Sequence, residues 1–237
     1  MVISEGKRVY DALLVTLSFL AICWALWLSE EYLGFHTRSF GMHPRTWEGL
    51  YGMVSMHFLH GDFDHIWKNS LSFLVLNSLL FYFYRGLSWK VFIRLMILGG
   101  ATLWLIGRPS NHIGASLLIY GLASFIFFSG IFRRGDELML RISLAVAFIY
   151  GSIIWWVLPI DPQISWEGHL AGALVGVILA WHYRVKGPKK KKYQWEIDEE
   201  LEQKRLNNLG DDPVNTTAEL DWDWDYKPKS DGSISID

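Results

Sequence analysis

Six apolar runs dominate the chain, at roughly residues 10–28, 66–84, 91–106, 112–132, 142–158 and 168–183. Few soluble folds can hide that much continuous grease. A membrane-spanning helix needs about 20 mostly apolar residues and tolerates about 17, so the third and sixth runs are short. Arg94 interrupts the third and can snorkel towards its near end. The runs are continuous rather than alternating, which argues for membrane helices instead of strands. The expected fold class is therefore all-α: a polytopic membrane protein with a bundle of six transmembrane helices.

Charge is distributed to match. Residues 186–237 hold 13 of the 24 acidic and 9 of the 22 basic side chains, leaving a charge-poor body. This suggests a short N-terminus at 1–9, a membrane domain at 10–185 and a charged, largely disordered tail at 186–237. Within the tail, 193–210 reads as a short helix ending near Gly210, and the lysines at 189–192 suit anionic headgroups. The acidic, aromatic end after residue 220 is either a partner motif or simply solvated. A single cysteine, Cys23, excludes an internal disulfide or a cysteine metal cluster.

Basic residues also set the orientation. Lys7 and Arg8 precede the first run, and Arg85 and Lys90 separate the second from the third. Arg133, Arg134 and Arg141 separate the fourth from the fifth, and Arg184 and Lys186 open a basic stretch after the sixth. The alternate connections hold only Arg38, Arg45 and Arg108. The excess of cationic residues on one side places both termini in the cytoplasm. Runs two, four and six then begin at the outer face, and each begins with polar residues.

Those residues are the chemical candidates, because polar groups in a bilayer usually face a protein interior or a watery cavity. Ser116 lies about one turn into run four. It reads as a packing serine, a hydroxyl bonded to its own helix, or a nucleophile. His169 heads a stripe with Gly172 and Gly176, whose small size lets a neighbouring helix approach closely. If that neighbour is run four, His169 can accept the Ser116 proton and return it to a leaving amine. Tyr120, four residues after Ser116 on the same face, can stack on the imidazole. His65 and Asn69 share a face of run two. They offer donors for an oxyanion, or alternatively bond loop carbonyls. His60, on the loop side, fits the carbonyl-bonding role.

Other signals are poorer. His57, His60, His65, Asp62 and Asp64 lack the spacing of a metal motif, so neither metal nor cofactor is implied. The Asn215 acceptor sequence falls in the expected cytoplasmic tail. Trp155 and Trp156 read as interface anchors.

Taken together, His60-x4-His65-x3-Asn69, then Gly114, Ser116 and Tyr120, then His169, Gly172 and Gly176, resemble the rhomboid family of intramembrane serine proteases. The resemblance spans the six-helix body and places each motif on the appropriate run. It implies a Ser116–His169 dyad, an oxyanion site around His65 and Asn69 with Gly114 in support, and Tyr120 stacked on the histidine. It further implies transmembrane protein substrates cut near the outer face, with the bilayer as setting and no nucleic-acid partner. A bacterial plasma membrane fits this reading. The chain departs from the family by placing Leu117 after the serine, where glycine is usual, and by the order of Arg45 and Trp47. Two other classes compete: a rhomboid-like protein that binds membrane clients without cutting them, and a small transporter relaying protons or metal through its histidines.

Overall fold

A computed structural model describes residues 4–133, 135–161, 163–186 and 194–210. Arg134, the lysines at 189–192, the acceptor at 215–217 and the acidic aromatic end lie outside the described residues. Two units are present, Met1–Lys190 and Lys191–Asp237.

Among the described residues every regular element is a helix, apart from one isolated antiparallel bridge between Met42 and His112. The first unit contains α1 (Glu5–Leu33), α2 (Gly49–Ser55), α3 (Phe63–Phe83), α4 (Ser88–Ile106), α5 (Ser116–Phe132), α6 (Glu137–Tyr150) and α7 (Trp166–His182). Short 3-10 turns join them at Thr37–Phe40 and Met56–Phe58, and a longer one, Gly151–Val157, continues α6. The second unit contains α8 (Gln194–Gly210).

Local chemistry sets several helix starts. Ser4, Asp62, Asp136 and Ser165 each accept a backbone N–H from the first turn that follows them. Such caps satisfy donors that the helix itself leaves without partners. At the far end of α1, Gly34 takes a left-handed turn at φ +72°, a region that suits glycine. The start of α5 is different. Ala115 precedes it and provides no side-chain cap.

Three helical stretches are long and apolar enough to cross a membrane: Glu5–Leu33, Ser88–Ile106 and Glu137–Val157. Ser116–Phe132 is apolar but has only 17 residues, as does α7. At 1.5 Å per residue those two helices reach about 25 Å. The remaining helix, α3, is diluted by Asp64, His65, Lys68, Asn69 and Asn77. The helices that fall outside the criterion are therefore the ones carrying the polar candidates.

Packing explains the division. Aromatic rings fill the contact between α1, α3 and α4, with Phe19 stacked on Phe73 at 4.4 Å and edge-on to Phe92. Hydrogen bonds also tie α1 to α3, from Asn77 to Thr16 at 2.8 Å and from Trp24 to Ser70 at 3.1 Å. Lipid is as apolar as leucine, so polar bonds and close backbone approach carry much of the specificity in such a bundle. Close approach is strongest between α5 and α7. A β-carbon on Gly172 would fall on the Leu117 carbonyl, and one on Gly176 on the Gly121 carbonyl.

Candidate active site

The three polar helix starts meet at one end of the bundle. α5 and α7 touch through Tyr120 and His169, whose rings stack with centroids 4.0 Å apart and planes 5° apart. α3 meets the approach to α5 where Gly114 lies against His65 and Asn69. A β-carbon on Gly114 would sit 2.7 Å from the His65 ring carbon Cε1 and 3.3 Å from the Asn69 amide nitrogen. Gly114 also has φ +114°, so both conformation and space call for glycine. Ser116 stands between these contacts, two residues after Gly114 and four before Tyr120. It is half-buried, whereas Tyr120, Asn69 and His169 are buried.

The sequence suggested that Ser116 lies a turn inside its helix, but it is the first residue of α5. The preceding residues are not helical because His112 exchanges backbone hydrogen bonds with Met42, at 2.9 Å in both directions. Gly114 then donates its N–H to the Met56 carbonyl at 2.9 Å. With no side-chain cap at Ala115, the first N–H groups of α5 have neither an intrahelical acceptor nor a capping oxygen. This leaves hydrogen-bond donors beside the Ser116 hydroxyl. The Asn69 amide nitrogen is also buried without a partner in the protein, so it does not bond a loop carbonyl.

His169 has a defined tautomer. Its Nδ1 is 2.8 Å from the Trp156 carbonyl oxygen. A carbonyl can only accept, so Nδ1 carries the hydrogen and Nε2 of the neutral ring keeps its lone pair. Tyr120 donates its hydroxyl hydrogen to the Ile153 carbonyl at 2.9 Å. Both carbonyls belong to the 3-10 stretch Gly151–Val157. That role was hidden in the sequence, where Trp156 stood out only for its side chain; a backbone acceptor leaves no residue-type signal.

The remaining candidates are also accounted for. Gly172 and Gly176 form the α7 surface against α5. The buried His60 ring is edge-on to His65 at 5.0 Å, and neither of its ring nitrogens has a hydrogen-bond partner in the protein, so it does not take the carbonyl-bonding role expected from the sequence. Leu117 is buried in an apolar cluster with Leu103 and Ala171. Its side chain turns to α4, where it covers the bare face of Gly99. Arg45 bonds the Leu105 and Gly107 carbonyls at the end of α4, and Trp47 is exposed. Among the described residues, no group of three His, Cys, Asp or Glu side chains is placed to hold a metal.

An all-helical body with several bilayer-length apolar helices and a polar cluster at one end defines an integral membrane protein. The sequence model of the Rhomboid domain matches residues 47–186. The chain belongs to the rhomboid family, whose members are generally intramembrane serine proteases acting on membrane proteins. It is also 36% identical over 188 residues to the uncharacterized protein Rv1337 of Mycobacterium tuberculosis, covering 74% of this chain and 75% of that one. The uncharacterized protein Mb1372 of Mycobacterium bovis matches to the same extent. The uncharacterized protein ML1171 of Mycobacterium leprae is 32% identical over 187 residues, covering 74% and 72%.

Proposed function

We propose that the chain is an intramembrane serine endopeptidase in which Ser116 is the nucleophile and His169 the general base. The observation that carries this reading is the His169 environment. The ring is held flat by Tyr120 and its Nδ1–H by Trp156, so its basic nitrogen is Nε2. The same helix is pressed by Gly172 onto the carbonyl of Leu117, the residue next to Ser116.

In this mechanism Ser116 Oγ attacks the substrate carbonyl carbon as its proton passes to His169 Nε2. The oxygen of the resulting tetrahedral centre becomes negative and is met by the Ser116 N–H, the Asn69 amide and a His65 N–H. Collapse breaks the peptide C–N bond, and the leaving amine takes the proton from His169. Water, deprotonated by the same imidazole, then hydrolyses the acyl ester and restores Ser116. The Trp156 carbonyl orients the ring, a task that an aspartate performs in a three-residue arrangement.

The bundle is read as six spans, α1 and α3 to α7, with both termini cytoplasmic and residues 10–185 in the membrane domain. The outer ends of α3, α5 and α7 then surround the reacting groups. A substrate helix must unwind there, because its carbonyls are otherwise occupied by its own hydrogen bonds. Helix-weak residues near the outer boundary of a substrate favour cleavage. A bacterial plasma membrane is the proposed location. The direct test is cleavage of a labelled single-span substrate in proteoliposomes. Wild type should cut it, and Ser116→Ala and His169→Ala should not; equal cutting by Ser116→Ala would overturn the assignment.

A further inference from the structure

The segments that lead into the two reacting residues are fastened to each other. His112 lies four residues before Ser116, and Ser165 lies four before His169. His112 Nδ1 is 2.6 Å from Ser165 Oγ, and His112 Nε2 is 3.0 Å from the Arg108 carbonyl. The carbonyl must accept, so Nε2 carries the hydrogen and Nδ1 accepts from the Ser165 hydroxyl. That hydroxyl oxygen also accepts the Gly168 N–H at 3.3 Å, and the Ser165 carbonyl accepts the His169 N–H at 3.2 Å. One side chain thus starts α7 and joins it to the approach to α5.

The surroundings hold the fastening in place. His112 is 3% exposed, and its backbone is paired with Met42. Arg108 donates to the Ile164 carbonyl at 2.6 Å and lies 3.5 Å from the carboxylate of Glu167, itself 2% exposed. These bonds pin the end of the α6–α7 connection.

We propose that His112 and Ser165 are positioning residues that set the register of Ser116 against His169. The proposal rests on the dyad reading and adds to it a second link, ahead of both reacting residues, between two helices that already touch at Tyr120 and His169. A small misplacement of reacting groups can cost about a hundredfold in rate. A bond between the two approaches guards against that loss, whereas a purely local role for His112 would need only its bond to Arg108.

The two nitrogens can be tested separately. His112→Gln places a donor near Nε2 and keeps the Arg108 bond. His112→Asn places an acceptor near Nδ1 and keeps the Ser165 bond. Cleavage kinetics and fluorophosphonate labelling of Ser116 should fall about tenfold or more for His112→Gln and Ser165→Ala, with KM unchanged. His112→Asn and Ser165→Thr should remain near wild type. The His112→Gln/Ser165→Ala double variant should be no slower than Ser165→Ala alone, because that substitution already removes the bond to His112 along with the cap on Gly168. Wild-type rates in His112→Gln, equal losses in His112→Asn and His112→Gln, or fully multiplicative losses in the double variant would overturn the proposal. If His112→Gln does not fold, His112→Asn and His112→Ala decide by the same criterion, since both lack the Arg108 bond, both leave the α7 cap in place and only the asparagine keeps the bond to Ser165. Failure of wild type to label above Ser116→Ala would instead remove the dyad reading itself.

Discussion

The phenol ring of Tyr120 lies parallel to the imidazole of His169, 4.0 Å from it, while both side chains donate hydrogen bonds to one 3-10 segment. The histidine is therefore fixed by a ring on one side and a backbone carbonyl at its edge. Neither contact uses a carboxylate, so the ring is oriented without a buried negative charge.

Removing the ring should matter more than removing its hydroxyl. Stacked aromatic pairs contribute about 0.5–1.5 kcal/mol beyond their buried area. Tyr120→Phe keeps the stack and should retain most of the turnover; Tyr120→Ala should lower it at least tenfold, by about 1.4 kcal/mol or more. Steady-state cleavage of one substrate by both variants checks this, and equal losses would assign the effect to the hydroxyl.

Gly114 is constrained by its positive φ and by the His65 and Asn69 side chains beside it. Gly114→Ala should displace those two side chains and abolish turnover. A backbone held in a region unfavourable to alanine costs about 1–3 kcal/mol, so thermal unfolding should show a lower midpoint but a folded protein. Full activity in this variant would separate His65 and Asn69 from the reaction.

Leu117 and Gly99 form a knob and its seat. Gly99→Val should overpack that contact and destabilise the protein by about 1–3 kcal/mol. Adding Leu117→Ala should recover part of the loss, since the smaller side chain vacates the space. Denaturation midpoints of the single and double variants test this, and additive losses would mean that the two side chains are not coupled.

Acid should destabilise the connection between α1 and α3. Burial lowers His57 from the ordinary 6.5 to about 4, and burial together with the nearby His65 lowers His60 to about 3. Below pH 6.5 the unfolded chain takes up protons that the folded chain refuses, so folding stability falls with pH. The fall continues until the folded rings protonate, near pH 3–4. His60→Gln should make the unfolding midpoint less steep in pH between 6.5 and 4; an unchanged slope would contradict the account.

Much of the candidate site stands out in the sequence because its residues are polar where the chain is otherwise apolar. His65, Asn69, Ser116 and His169 stand out against the runs that contain them. The small stripe at Gly172 and Gly176 marked a close helix contact by size alone. The start of α5 was not legible, because it depends on pairing between His112 and Met42, 70 residues apart in sequence. The fastening of His112 to Ser165 spans 53 residues and uses common residue types. The place that Leu117 fills was hidden because its seat, Gly99, lies on another helix. Run five looked like one helix from 142 to 158, yet α6 ends at Tyr150 and the chain tightens into Gly151–Val157.

The central claim is that Ser116 is a nucleophile activated by His169. It is tested most directly by peptide mass mapping after treatment with a fluorophosphonate in detergent micelles. The account predicts one phosphonyl adduct on Ser116 in the wild type, absent in Ser116→Ala and strongly reduced in His169→Ala. No adduct on Ser116, or equal labelling of wild type and His169→Ala, would contradict it.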